Sequence, residues 1–200
     1  MMSNTIVLPA SQPDAIQQAL LVLSQDGTVA FPTDTVYGLA ANPYSVTAIQ
    51  KLFQIKDREK EKSIAVLLGN IKQLNKVTQN PSKSAIELAQ AHWPGALTLV
   101  IPRHTDMPDE LSPLPTLGVR IPDHPVALAL LQASGPLAVT SANISGQADT
   151  STAEEVLAQL NGRVDLILDG GKTPGGVPST VVDMTGATPK VLRQGPILIN

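Results

Sequence analysis

Residues 33–37 place two threonines, an aspartate and a tyrosine within the segment Phe31-Pro-Thr-Asp-Thr-Val-Tyr-Gly-Leu-Ala-Ala41. Hydroxyls and an acid directly after the β-type run Thr28 to Phe31 are groups that hold a small polar ligand by hydrogen bonds. Pro32 stops a central strand because it has no N–H for the ladder. Gly38 permits a positive φ or a close approach by a ligand. The pattern of apolar runs ending in hydroxyls or arginine recurs along the chain. Arg120 lies on a middle run, Thr140, Ser141 and Asn143 follow another, Ser179 and Thr180 precede the next, and Arg193 closes the last. Taken singly, each is most often a turn or cap residue. Converging on one sheet surface, they would line a polar, cationic concave cleft. Lys56, Arg58 and Lys62 belong to an unbroken charged run, Lys56 to Lys62, and would add charge suited to phosphate. Charge pattern alone favours a solvated helix end there, with the lysines paired to Glu59 and Glu61.

Other chemistries lack their patterns. Gly171-Lys-Thr173 resembles the end of a P-loop, but the glycine required five positions before Gly171 is Leu166. No G-x-G-x-x-G follows a strand-like run. His92, His104 and His124 are scattered without metal-ligand spacing. There is no G-x-S-x-G elbow.

The elements that must position these residues are legible in outline. The chain has 200 residues, 42% of them hydrophobic, enough for one sizeable core and a single domain over residues 1–200. Its net charge of −3 disfavours a broad nucleic-acid or membrane surface. The absence of cysteine excludes disulfides and thiol chemistry. With no signal-like or membrane-spanning run, a cytoplasmic location is expected. Ser11, followed by Gln-Pro-Asp, predicts a helix start, with Ile16, Ala19, Leu20 and Leu23 on its apolar face. Ser45 predicts the cap of a second helix that turns Ile49, Leu52 and Phe53 inward. Ile64–Leu68, Ala96–Ile101, Thr116–Ile121, Pro136–Thr140 and Val164–Leu168 read as strands, and Val181–Met184 with Lys190–Leu192 as a closing hairpin. Interspersed strands and helices imply an α/β (α+β) fold: one twisted, mixed, largely antiparallel sheet with flanking helices.

These residues also resemble a known family. Phe31–Ala41 is similar to the F/Y-P-T-E/D-T-x-Y-G-L motif of YrdC-type L-threonylcarbamoyladenylate synthases, the TsaC family. The resemblance continues through Lys56-Asp-Arg58, Trp93-Pro-Gly-Ala-Leu-Thr98, Val119-Arg-Ile-Pro-Asp-His-Pro125, Ser141-Ala-Asn143, Pro178-Ser-Thr-Val-Val-Asp183 and Leu192-Arg-Gln-Gly-Pro196, in order and over nearly the whole chain. It implies a YrdC-like nucleotidyltransferase. Such an enzyme condenses L-threonine, bicarbonate and ATP into threonylcarbamoyl-AMP and pyrophosphate, for N6-threonylcarbamoyladenosine at position 37 of tRNA.

On the same resemblance, Thr35, Arg120, Thr140 and Ser179 would surround L-threonine. Lys56 and Arg58 would be catalytic, and Arg58, Lys62, Thr116, Ser141, Asn143 and Arg193 would bind ATP. No residue would be a dedicated metal ligand, Mg²⁺ arriving with the nucleotide phosphates. The product would pass to a transferase complex of the TsaD, TsaB and TsaE type, with at most weak tRNA contact. Two departures stand out: Glu59 where the family has proline, and Leu67 where some members carry a polar residue. Asp34 in place of glutamate is shared with YciO-type paralogues. The alternatives are such a paralogue, or a non-catalytic module binding double-stranded RNA or the ribosome.

Overall fold

Short runs of Val, Ile, Leu and Ala project alternate side chains to opposite sides of a strand, and here both sides find apolar partners. The computed structural model describes residues 4–57, 59, 62–174 and 177–199. Its strands are β1 (Ile6–Pro9), β2 (Val29–Pro32), β3 (Tyr37–Ala41), β4 (Ala65–Leu67), β5 (Leu97–Pro102), β6 (Thr116–Arg120), β7 (Leu137–Ser141), β8 (Leu166–Asp169), β9 (Thr180–Asp183) and β10 (Lys190–Arg193). They form one sheet in the order β1-β8-β2-β3-β7-β4-β6-β5-β9-β10. The pairs β2–β3, β3–β7, β7–β4, β5–β6 and β9–β10 are antiparallel, whereas β1–β8, β8–β2, β4–β6 and β5–β9 are parallel. The sheet is therefore mixed, with antiparallel pairings in a bare majority.

One face carries Leu39, Val66, Leu99, Val119 and Val182. Buried residues of α2 (Val46–Lys56), α3 (Lys83–His92) and α5 (Ala153–Leu160) share that core. The opposite face presents Val29, Phe31, Ala40, Val139, Leu166 and Leu168 to α1 (Ala15–Ser24) and α4 (Pro125–Ser134). Leu67 and Val139 mark where this second helical cover ends. Beyond them the same sheet face lies open, and that half-uncovered sheet is what makes a site.

Local chemistry explains most element ends. The Ser45 hydroxyl accepts from Ala48 N and caps α2 as expected, and Ile49, Leu52 and Phe53 are buried. The predicted cap at Ser11 is displaced. Gln12 N donates to Pro9 O in a turn, and the helix begins at Ala15 after Asp14. The Asp14 carboxylate accepts from Gln12 and Gln18 side chains instead of capping. The motif after β2 is a hairpin closed by the Pro32–Tyr37 pair, so its second half is strand and not turn. No described helix is long and apolar enough to cross a membrane.

Candidate active site

Register brings the hydroxyls and arginines of β5, β6, β7 and β10 onto the open face. Cross-strand partners share a face, and the pairs Gly38–Ser141, Ala65–Val139, Leu67–Arg120, Val100–Gly118 and Thr98–Val181 run side by side. They floor a cleft of about 450 Å³. Two glycines keep the floor low. A Cβ at Gly38 would stand 2.8 Å from Val139 Cγ1, and one at Gly118 would stand 3.1 Å from Thr98 Cγ2. Gly38 is thus a demand for space inside β3, not for a positive φ.

Arg120, at the end of β6, is the centre of one wall. Its Nε donates to Gly95 O (2.9 Å), Nη1 donates to Thr35 Oγ1 (3.3 Å), and Nη2 meets Asp34 Oδ1. The hairpin tip that brings Asp34 and Thr35 is built by Thr33. The Thr33 hydroxyl donates to Val36 O (2.7 Å), and its oxygen accepts from Thr35 N (3.2 Å). Burial lowers the Arg120 pKa from its usual value and Asp34 opposes that shift, while Arg193 adds to it. A guanidinium starts so high that it stays charged. Behind the hairpin, the Tyr37 hydroxyl donates to Gly171 O (2.8 Å) and accepts from Gly170 N (3.3 Å). Burial pushes that phenol up to about 12, so it acts as a neutral strut.

The second wall joins β5, β9 and β10. The hydroxyls of Thr98 and Ser179 are 2.8 Å apart. Arg193 clasps Ser179 from above, Nε donating to its carbonyl (3.0 Å) and Nη2 to its hydroxyl (3.2 Å). A bulge in β10 lets Arg193 stand opposite Val181. Burial lowers its pKa and Asp149, on the cleft rim, counteracts. The described charges lining the cleft are two guanidiniums and the Asp149 carboxylate.

Thr35, Arg120, Thr140, Ser141, Ser179 and Arg193 therefore line one cavity. Thr116 shares their sheet face but lies at the far end of β6, about 13 Å from Arg120. Lys62 forms an exposed ion pair with Glu59 at 3.1 Å, outside the lining. Lys56 and Asn143 stand behind Ser141. The Lys56 ammonium, on a residue 1% exposed, donates to Ser141 O, to Asn143 O and to Asn143 Oδ1 (3.0 Å). This corrects the picture of a solvated helix end for Lys56: Phe53, Ile55 and Lys56 of the last turn of α2 are buried, and the lysine ties down the loop after β7. Arg58 lies outside the described residues. The cleft also uses Thr98, Asp149 and the apolar floor of Ala65, Val100, Val139 and Val181, none of which spacing had singled out. Only alternation within each strand, followed across the register, would have found the strand residues among them; Asp149 lies in the loop between β7 and α5.

The arrangement offers guanidiniums and hydroxyls at two walls over a flat apolar floor. It can hold a carboxylate, a polyanion and a planar or aliphatic body without a covalent nucleophile. Residues 21–195 match the family model that groups Sua5, YciO and YrdC and is described as telomere recombination. The chain belongs to this family. It is 43% identical over 188 residues to the threonylcarbamoyl-AMP synthase of Bacillus subtilis, covering 91% of this chain and 54% of that protein. With the threonylcarbamoyl-AMP synthase of Vibrio cholerae it shares 36% identity, covering 90% of this chain and 97% of the relative. The crystal structure of P. abyssi Sua5 complexed with L-threonine superposes with a TM-score of 0.90 at 36% identity, over 96% of this chain and 58% of that one. This chain thus spans about half the length of some relatives and nearly all of another. The likeness extends to the mixed sheet whose open face forms the cleft.

Proposed function

We propose that this member of the Sua5, YciO and YrdC family is a threonylcarbamoyl-AMP synthase. The supporting observation is the convergence of Arg120 and Thr35 on one wall with Ser179 and Arg193 on the other, in a chain similar to proteins named for that activity. L-Threonine would place its carboxylate on Arg120, whose planar fork suits two-pronged contact. Thr35, Thr140 and Ser179 would meet its polar groups. Ser141 and Arg193, with Arg58 by its motif, would receive the triphosphate.

The reaction joins the nitrogen of the substrate's ammonium group to the carbon of bicarbonate, releasing water and a proton. A carbamate oxygen then attacks the α-phosphorus, the bond to the β-phosphate bridge breaks, and pyrophosphate leaves. Such transfers depend on positioning and charge neutralisation more than on a covalent intermediate. A cleft of hydroxyls and guanidiniums meets that requirement. Mg²⁺ would be held by the phosphates themselves and water. The described residues contain no group of three or more His, Cys, Asp or Glu side chains that could hold a metal ion.

The pure protein incubated with ATP, L-threonine and bicarbonate should release pyrophosphate, and omission of either co-substrate should stop the release. Turnover of ATP indifferent to both would remove the synthase reading. Product hand-over to a tRNA-modifying transferase belongs to the same proposal and would appear as threonylcarbamoyl transfer in a coupled reaction.

A further inference from the structure

The Arg120 guanidinium is held at all three of its nitrogens by the protein itself. Nε donates to Gly95 O, and Gly95 N donates in turn to Ile121 O (2.8 Å), which locks that acceptor to the residue after the arginine. Nη1 donates to Thr35 Oγ1, and Nη2 donates to the Asp34 carboxylate. One N–H then remains on each terminal nitrogen, the number that a two-pronged carboxylate contact needs. Thr33, Thr35 and Arg120 line the cavity, whereas Asp34 does not. The Arg120 and Asp34 side chains are 8% and 15% exposed.

We propose that Asp34 is a positioning residue: without touching substrate, it orients the Arg120 guanidinium so that the two remaining N–H groups meet the carboxylate of L-threonine. The inference rests on the synthase reading and deepens it. Arginine carries its head group on a flexible stem, and a fork bonds two oxygens at once only when its plane is held. Gly95 O and Thr35 Oγ1 are neutral acceptors, on Nε and Nη1. Asp34 holds Nη2 and is the charged acceptor of the three, hence the strongest. A guanidinium this buried also needs an opposite charge beside it to stay out of water. The hairpin tip that carries Asp34 is itself fixed, because Thr33 bonds both Val36 O and Thr35 N. Loss of the Asp34 charge should therefore free one end of the fork and leave the opposite wall, where Arg193 clasps Ser179, as it is.

Calorimetric binding of L-threonine and, separately, of pyrophosphate tests this in the full chain. Asp34→Asn should weaken threonine binding by roughly 10- to 100-fold, the range of one charge-assisted hydrogen bond, while pyrophosphate affinity stays within about twofold of native. Asp34→Glu keeps the charge on an arm one methylene longer, and its threonine affinity should fall between native and Asp34→Asn, about two- to tenfold below native. Native threonine affinity in Asp34→Asn overturns the inference. An equal loss for both ligands with a lowered melting temperature also overturns it, being the signature of a fold loosened as a whole. If Asp34→Asn does not fold, Asp34→Glu carries the test, and native threonine affinity in that variant overturns the inference. A native protein that releases no pyrophosphate with ATP, threonine and bicarbonate would instead remove the synthase reading, and this inference with it.

Discussion

Lys56 and Asn143 are joined side chain to main chain and side chain to side chain, the lysine ammonium donating to both the carbonyl and Oδ1 of the asparagine. The lysine of the K-x-R segment and the asparagine of the S-x-N segment are therefore one unit. Ser145 N donates to Lys56 O from the same loop, closing the clasp from the other side. Asn143 in turn donates from Nδ2 to Gln147 O (2.8 Å), so the strand-end loop carrying Ser141 is fixed from behind.

Removing the lysine should cost stability as well as activity. Lys56→Ala leaves buried carbonyls of Ser141 and Asn143 without their donor, an effect on the order of 2–3 kcal/mol. Urea denaturation should show a lowered midpoint with an unchanged slope. An inactive variant with native stability would place the lysine's role on substrate alone.

Gly38 lacks a Cβ because Val139 occupies the space. Gly38→Ala should destabilise by about 1–3 kcal/mol through overpacking. Trimming the neighbour with Val139→Ala should relieve it, so the double variant should be more stable than the sum of the single effects. Strict additivity in thermal melts would show that β3 shifts to accommodate the methyl.

Ser179 is held by Thr98 and Arg193 at once. Ser179→Ala should lower kcat/KM by roughly 10- to 100-fold, the range of one or two lost hydrogen bonds in a confined site. Arg193→Lys should not restore native activity, since an ammonium cannot reach both the carbonyl and the hydroxyl of Ser179 with separate nitrogens. Steady-state kinetics of the two variants distinguishes this clasp from a merely nearby charge.

His124 contributes a pH dependence of known sign. Its Nδ1 is buried and has no partner among the described residues. Burial lowers its pKa below 6.5, against the opposing pull of Asp34 and Asp123. The folded state therefore favours the neutral ring. As pH falls through 6.5 the unfolded chain takes up the proton first, and stability is lost until the folded pKa is reached. Between about pH 7.5 and 5.5 the native protein should lose more Tm than His124→Gln does. Parallel declines would assign the pH dependence to other groups.

Much of this architecture could be read from local signals. The Ser45 cap, the inward Ile49, Leu52 and Phe53, and the closing hairpin all depend on chemistry within a few residues. Strand β1 escaped because Ile6 and Val7 are exposed on an edge and show no buried alternation. Strand β3 was hidden inside a segment whose polar half reads as a turn. Most of the cleft was legible as strand-end hydroxyls, but its pairings were not. Asp34 and Arg120 lie 86 residues apart, and Lys56 and Asn143 lie 87 apart. Burial of a lysine at that distance from its acceptors is decided by register and packing, which no local spacing encodes.

Bicarbonate incorporation tests the central claim most directly. With ¹³C-labelled bicarbonate, ATP and L-threonine, mass spectrometry of the quenched reaction should show a single adduct containing AMP, threonine and one labelled carbon. It should form together with pyrophosphate and disappear when threonine is withheld. Release of AMP or ADP with no labelled carbon in any threonine-containing product would contradict the synthase assignment.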